Sequence, residues 1–133
     1  SGLNLKRADF EETNLIKSRL ERADLQWAIL KGAKIWEAGM EKADLRKANL
    51  RGASLGKAFL EKVNLRGATL ERTGFRDARM NDTDLTESKN LETAVFSRET
   101  TLPDGTKWTP ETDMTRFTDP EHRDYWKPEG DAR

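Results

Sequence analysis

His122 is the one histidine in a chain that has no cysteine, so acid–base chemistry near neutral pH would have to start from it. It stands beside Arg123 and Asp124 in a stretch that reads as surface, and no serine lies in the strand-turn-helix context of a nucleophile elbow. Its expected state is solvated. The lack of cysteine removes thiol nucleophiles, disulfides and thiolate zinc sites, and leaves the redox compartment open. Carboxylates are the other source of chemistry, since Asp24, Asp44 and Asp84 recur with Asn4 and Asn64 at intervals of twenty residues. A stacked acidic column suits a hard cation such as calcium, but Lys6, Arg46 and Arg66 run beside it and oppose the cation. Gly32, Gly52 and Gly67 recur at the corners of a repeat and form no phosphate-cradling loop. The expectation is therefore no catalytic residue, no metal and no cofactor.

The spacing that aligns those aspartates belongs to a finer repeat. Every fifth residue from Leu5 to Leu85 is large and apolar, including Phe10, Leu25, Ile35, Met40, Leu65 and Phe75. Two places before each stands a small residue, such as Ala8, Ala23, Ala43, Ala58, Thr73 or Thr83, with Val63 the bulkiest. The other three places are mostly charged, polar or Gly. A period of five matches neither a helix at 3.6 nor a strand at 2. If the chain corners every five residues, four units return it to its starting direction and successive square coils stack at strand spacing, about 4.8 Å. Each side then points one large and one small side chain at the axis, and the small place is small because a second Leu would overpack the shaft. Two residues in five make the whole core, which reconciles a mean hydropathy of -0.90 with a folded chain.

The units Ala23-Asp24-Leu25, Ala43-Asp44-Leu45 and Ala48-Asn49-Leu50-Arg51-Gly52 resemble the A(D/N)LXX consensus of the pentapeptide-repeat proteins, over roughly residues 3 to 98. The resemblance implies an all-β solenoid, the right-handed quadrilateral β-helix. Val63 and Gly74 are mild departures from the pattern. Residues 5 to 85 make four coils and the start of a fifth, a rod about 20 Å long at strand spacing. The frame then slips: Asn90 falls in a core slot and the pattern resumes one residue late at Ala94 and Phe96, as a bulge before a last partial coil.

An open coil needs a cap, and the tail supplies one. Pro103 and Gly105 suit a tight turn between 100–101 and 107–108, predicting a short hairpin. Thr109-Pro110-Glu111 and Asp119-Pro120-Glu121 read as helix starts, predicting short helices over about 110–117 and 120–126. The expected organisation is a β-helix over 3–98, a capping segment over 99–126 and a flexible tail over 127–133. The N-terminal end lacks such a cover; it is an excised edge, an edge blunted by Lys6, Arg7, Glu11 and Glu12, or a surface for a homodimer through an end of the solenoid. Ser1-Gly2 reads like a tag scar, which leaves a removed signal segment open.

Lys and Arg number 24 against 24 Asp and Glu, a balance that argues against direct nucleic-acid binding and equally against a polyanion copy of a duplex. No apolar run is long enough for a membrane span. The outward acidic and basic columns read as a self-compensating solvated surface. Apolar residues that break this pattern are the candidate partner-binding site: Ile16 and Trp36, one coil apart in nearly one column and expected to touch; Trp27 and Ile29, at the corner before that side; and Phe59, beside Arg79. The expectation is a non-catalytic structural or protein-interaction module in the cytoplasm with an unidentified protein partner. The alternative that the resemblance implies is a DNA-mimic modulator of DNA gyrase or another nucleic-acid-binding enzyme.

Overall fold

A computed structural model describes residues 2–128. Parallel bridges run from Asn4 to Asp24, Asp9 to Ile29, Asn14 to Lys34 and Arg19 to Gly39, and the same twenty-residue step repeats up the chain as far as the pair Thr69 and Lys89. Four bridged sides per step make a quadrilateral coil. Each straight side is only a small residue, a bridging residue and a large residue, so pairing is confined to single rungs rather than long strands.

Every corner is a two-residue turn closed by the following small residue, as where the Ala8 N–H donates to the Leu5 carbonyl at 3.0 Å. The second turn residue takes a positive φ, 64° at Arg7, 58° at Glu12 and 62° at Trp27, while the first does not, which is the type II pattern. Most of these residues are not glycine, and a left-handed L-residue costs roughly 1–2 kcal/mol. The coil above holds them there: the Arg7 N–H donates to the Gln26 carbonyl at 2.9 Å, and the Glu12 N–H to that of Lys31 at 2.9 Å. No Val, Ile or Thr occupies this column from 7 to 87, because β-branched side chains tolerate it least.

Asp and Asn are common at the bridging place for a local reason. The side-chain oxygens of Asn4, Asp44, Asn49, Asn64 and Asp84 each accept the backbone N–H two residues on, at 3.0–3.2 Å, and so cap the turn that follows.

From the second coil on, the shaft is filled by buried side chains. Leu25, Leu45 and Ala48 are wholly buried, with Ala43 at 1% exposure. Three hydroxyls that enter it are bonded: Thr73 donates to the Leu50 carbonyl at 2.8 Å, Thr83 to that of Leu60 at 2.6 Å, and Thr100 to that of Phe75 at 2.7 Å. The Ser88 hydroxyl, at the next small place after Thr83, is instead buried without a hydrogen-bond partner among the described residues. Val63, in the same column as Thr83, shows that the valine shape fits. Thr83→Val therefore removes one buried hydrogen bond and little else. It is expected to lower the urea-unfolding free energy by about 1 kcal/mol, and an unchanged midpoint would mean that the bond is worth nothing there.

After Lys89 the register slips by one residue, so that Gly74 pairs with Val95, and by another, so that Arg79 pairs with Thr101. The first slip is the bulge expected where Asn90 falls in a core slot and the pattern resumes one residue late. Asn90 adopts φ 64° at the exposed start of a 3-10 turn, Leu91–Thr93, and Leu91 takes the interior at 5% exposure. The second slip is a turn closed from the Thr100 N–H to the Ser97 carbonyl at 2.9 Å. Thr100 and Leu102 are both buried, so the expected capping segment begins inside the last coil.

The expected hairpin forms, with Thr101 antiparallel to Lys107. The two expected helices do not. Only Met114–Phe117 is helical, as a 3-10 turn capped by the Asp113 carboxylate, and the 119–124 stretch is a chain of turns. So short a segment cannot offset helix nucleation, and the Asp113 and Asp119 side chains satisfy nearby backbone N–H groups instead. The cap is held by rings: Phe96 stacks on Phe75 at 5.5 Å, Trp108 on Phe96 at 5.9 Å, and Trp126 meets Phe117 edge-on at 5.8 Å. Arg116 ties it to the hairpin through Asp104 at 2.8 Å. The tail expected to be flexible over 127–133 lies, from residue 129, outside the described residues.

Candidate functional site

All five candidate residues are exposed, Trp27 and Trp36 at 50% each. The coil geometry separates them. Trp27 is the left-handed turn residue between the sides built on Leu25 and Leu30, and Ile29 lies on the second of these sides. Trp36 follows Ile35, two corners further round, so the two tryptophans sit at diagonally opposite corners of the square. Ile16 shares the Trp36 column one coil below, and Phe59 occupies the next side. They form three patches rather than one, because a five-residue period turns the chain through a right angle with each unit.

Two of the patches carry a cation over the ring. The Arg7 guanidinium lies 5.4 Å from the Trp27 ring centre, and that of Arg79 lies 5.4 Å from Phe59, its expected column neighbour. Trp36 is held differently: its indole N–H donates to the Ser54 hydroxyl at 2.6 Å. Above it the surface sinks into a depression lined by Ser54, Gly56, Lys57, Gly74, Arg76 and Val95. This floor escaped the sequence reading. Its signal was Gly56 and Gly74 at outward places where other coils carry side chains.

Ser54 also sits within the letters Gly52-Ala53-Ser54-Leu55-Gly56, which match a nucleophile elbow. The structure gives that match no catalytic setting. Ser54 is a bridging residue on a straight side, paired with Lys34 and Gly74, and His122 is in the cap. Both imidazole nitrogens are engaged there: Nε2 faces the Asp113 carboxylate at 2.9 Å and Nδ1 accepts the Asp124 N–H at 2.9 Å. His122 is thus a tie within the cap rather than a freely solvated side chain. Hydrogen bonds from Thr115 and then from His122 lower the Asp113 pKa to about 2.

The acidic column is neutralised along its length. Asp24 faces Lys6 at 3.8 Å, Arg46 clasps Asp44 at 2.6 Å, and Arg66 reaches the buried Asp84 at 3.5 Å. These carboxylates are spent on turns and basic neighbours. Among the described residues no helix is long and apolar enough to cross a membrane.

Comparison with known proteins agrees with this geometry. A family model described as "Pentapeptide repeats" matches in 8 copies, over residues 1–32, 43–82 and 60–89. No curated protein sequence matches significantly. Among solved structures, a pentapeptide repeat protein from the Arabidopsis thaliana thylakoid lumen is similar at 32% identity and a TM-score of 0.64, covering 66% of this chain and 61% of its own. One from the cyanobacterium Cyanothece 51142 is similar at 33% identity and a TM-score of 0.59, covering 78% of this chain and 66% of its own. HetL, a pentapeptide repeat protein involved in heterocyst differentiation regulation in Nostoc sp. strain PCC 7120, shares the fold at 24% identity and a TM-score of 0.53, covering 81% of this chain and 63% of its own. The chain thus spans less than two thirds of the length of each of these proteins. Their common architecture is the right-handed β-helix.

Proposed function

The chain belongs to the pentapeptide-repeat family, and from that premise we propose that it is a non-catalytic rod that docks another protein through exposed aromatic and aliphatic side chains on its faces. The observation that carries this reading is Trp36, half exposed on a charged surface yet fixed in place by Ser54. An aromatic ring held rigid while facing solvent loses little entropy on binding, which is how contact anchors behave. Trp27 with Ile29, Ile16 beside Trp36, and Phe59 are the contact residues in this reading, acting on separate faces. Engagement of both His122 nitrogens supports a module without catalysis. Pairing of the acidic column with Lys6, Arg46 and Arg66 weighs against mimicry of a polyanion and against binding of the rod to DNA-processing enzymes in that way.

Residues 3–98 serve as the rod and 99–126 as its cap, with the cap taking over the last coil from Thr100. The N-terminal coil is a second surface, for a homodimer: Leu3 is 59% exposed, and Leu5, Phe10 and Leu15 are only partly covered. Cytoplasmic placement goes with this reading, while the similar Arabidopsis thaliana protein serves in a thylakoid lumen.

Affinity capture and sedimentation with wild type, Trp27→Ala, Trp36→Ala and the double variant test the proposal together. Loss of a captured protein by about tenfold in at least one variant, with unfolding unchanged, is the expected result. Retention of every captured protein by the double variant would rule out the tryptophans as anchors.

A further inference from the structure

The depression beside Trp36 has no structural cause in the fold. A Cβ added at Gly56 would meet nothing closer than the Arg76 carbonyl at 3.6 Å, and one at Gly74 nothing closer than the Ser54 hydroxyl at 3.8 Å. Both are ordinary contacts, and neither glycine has a positive φ. The coil would accept side chains at both places, as it does at the equivalent Trp36, Arg76 and Lys34. What their absence creates is a half-buried floor of backbone and Ser54 hydroxyl, with the fixed Trp36 ring at one end and Val95, 38% exposed, at the other.

Charge on this face is not balanced. Over the stacked segments 31–37, 51–57 and 71–77, six Lys or Arg stand against three Asp or Glu, an excess of three positive charges in a chain whose net charge is zero. Arg51 is compensated by Glu71 at 3.4 Å. The exposed side chains of Lys31, Lys34, Lys57, Arg72 and Arg76 have no hydrogen-bond or ion-pair partner among the described residues. Of the acids, Asp77 accepts the Ser97 hydroxyl at 2.7 Å and keeps its charge, so Glu37 and Asp77 are the two opposing carboxylates at the rim. Lys57 and Arg76 flank the floor itself.

We propose that this depression seats an extended acidic segment of a protein partner, laying an apolar or aromatic side chain on the floor against Trp36 and its carboxylates against Lys57 and Arg76. The inference rests on the docking reading above and assigns it one face and one chemistry. Apolar contact supplies the anchor, and the uncompensated cations select acidic neighbours and speed encounter.

Panning a displayed library of random linear peptides on the full chain tests it, followed by binding titrations of the most enriched peptide. Gly56→Glu is the deciding variant, because it fills the floor and reverses the local charge at a place where the backbone accepts a Cβ. The expected result is enrichment of peptides combining Asp or Glu with an aromatic residue, about tenfold weaker on Trp36→Ala and on Gly56→Glu and unchanged on Trp27→Ala. Enriched peptides that are not acidic, or that bind Gly56→Glu as well as wild type, overturn the inference while leaving the docking reading in place. Enrichment of nothing overturns it as well, and combined with full retention of partners by the tryptophan double variant it removes both readings. Binding of a single-stranded DNA oligonucleotide to this face in place of any peptide would assign the cations to nucleic acid and overturn the inference too.

Discussion

Ala43→Leu combined with Ala48→Leu is expected to lower the unfolding free energy by roughly 2–6 kcal/mol. Both alanines are buried on consecutive sides of one coil, and each stacks beneath a residue twenty places on, Val63 and Ala68, that is itself at most 1% exposed. The shaft cannot widen locally, because the coils above and below are hydrogen-bonded to this one at every side: the Leu45 N–H donates to the Asn64 carbonyl at 2.7 Å and the Asp44 N–H to that of Ala23 at 2.9 Å. Inserting extra methylenes into a packed core costs roughly 1–3 kcal/mol at each site, and two neighbours competing for the same space should cost more than their sum. Against a total stability of about 5–15 kcal/mol for a small domain, that is a large share of the whole. Thermal and urea melts followed by circular dichroism measure it. Lys47→Leu, on the exposed corner between the two alanines, is the control and should shift stability by no more than about 0.5 kcal/mol. A double variant that melts within a few degrees of wild type would refute the narrow-shaft account of the repeat.

Phe96→Ala should cost about 3 kcal/mol, the low end for truncating a buried aromatic ring because Phe96 is only half-buried. The ring is the middle of a three-layer stack. It covers Phe75, which is wholly buried, and is covered in turn by Trp108. Its removal therefore leaves a void beneath the hairpin as well as losing two ring contacts. The consequence goes beyond stability, since a loosened hairpin uncovers the last coil and its unpaired backbone groups, which template edge-to-edge association. Urea titration should show the stability loss, and sedimentation velocity should show species larger than the wild-type protein that grow with concentration. Trp108→Ala removes one ring contact instead of two and is expected to show the smaller version of both effects. Wild-type behaviour of Phe96→Ala in both measurements would mean that the cap holds without the stack.

The core was legible in the sequence because it depends on a local rule. A corner every five residues sends one small and one large side chain inward, and Ala23, Leu25, Ala43 and Leu45 report that rule wherever they are read. The slip after Lys89 was visible for the same reason, as a break in period. Its content was not: whether Asn90 or Leu91 enters the shaft depends on the positive φ that Asn accepts and on the apolar interior that rewards Leu. The helices expected in the cap failed because Pro and Asp mark the start of a turn equally well, and only packing of Phe117 and Trp126 decides how far the turn continues.

What the sequence determined by itself was therefore everything periodic: the coil, its filling, the balance of its charged columns and the exposure of Ile16, Trp27, Ile29, Trp36 and Phe59. The tertiary structure alone decided which of these residues share a face. It set Trp27 and Trp36 at opposite corners, turned the Trp36 indole onto Ser54, and opened a floor between Gly56 and Gly74. Exposure follows from a residue's place in its own five-residue unit. Neighbourhood on the surface follows from stacking residues twenty apart, where a missing side chain in one coil changes what the ring in the next can reach.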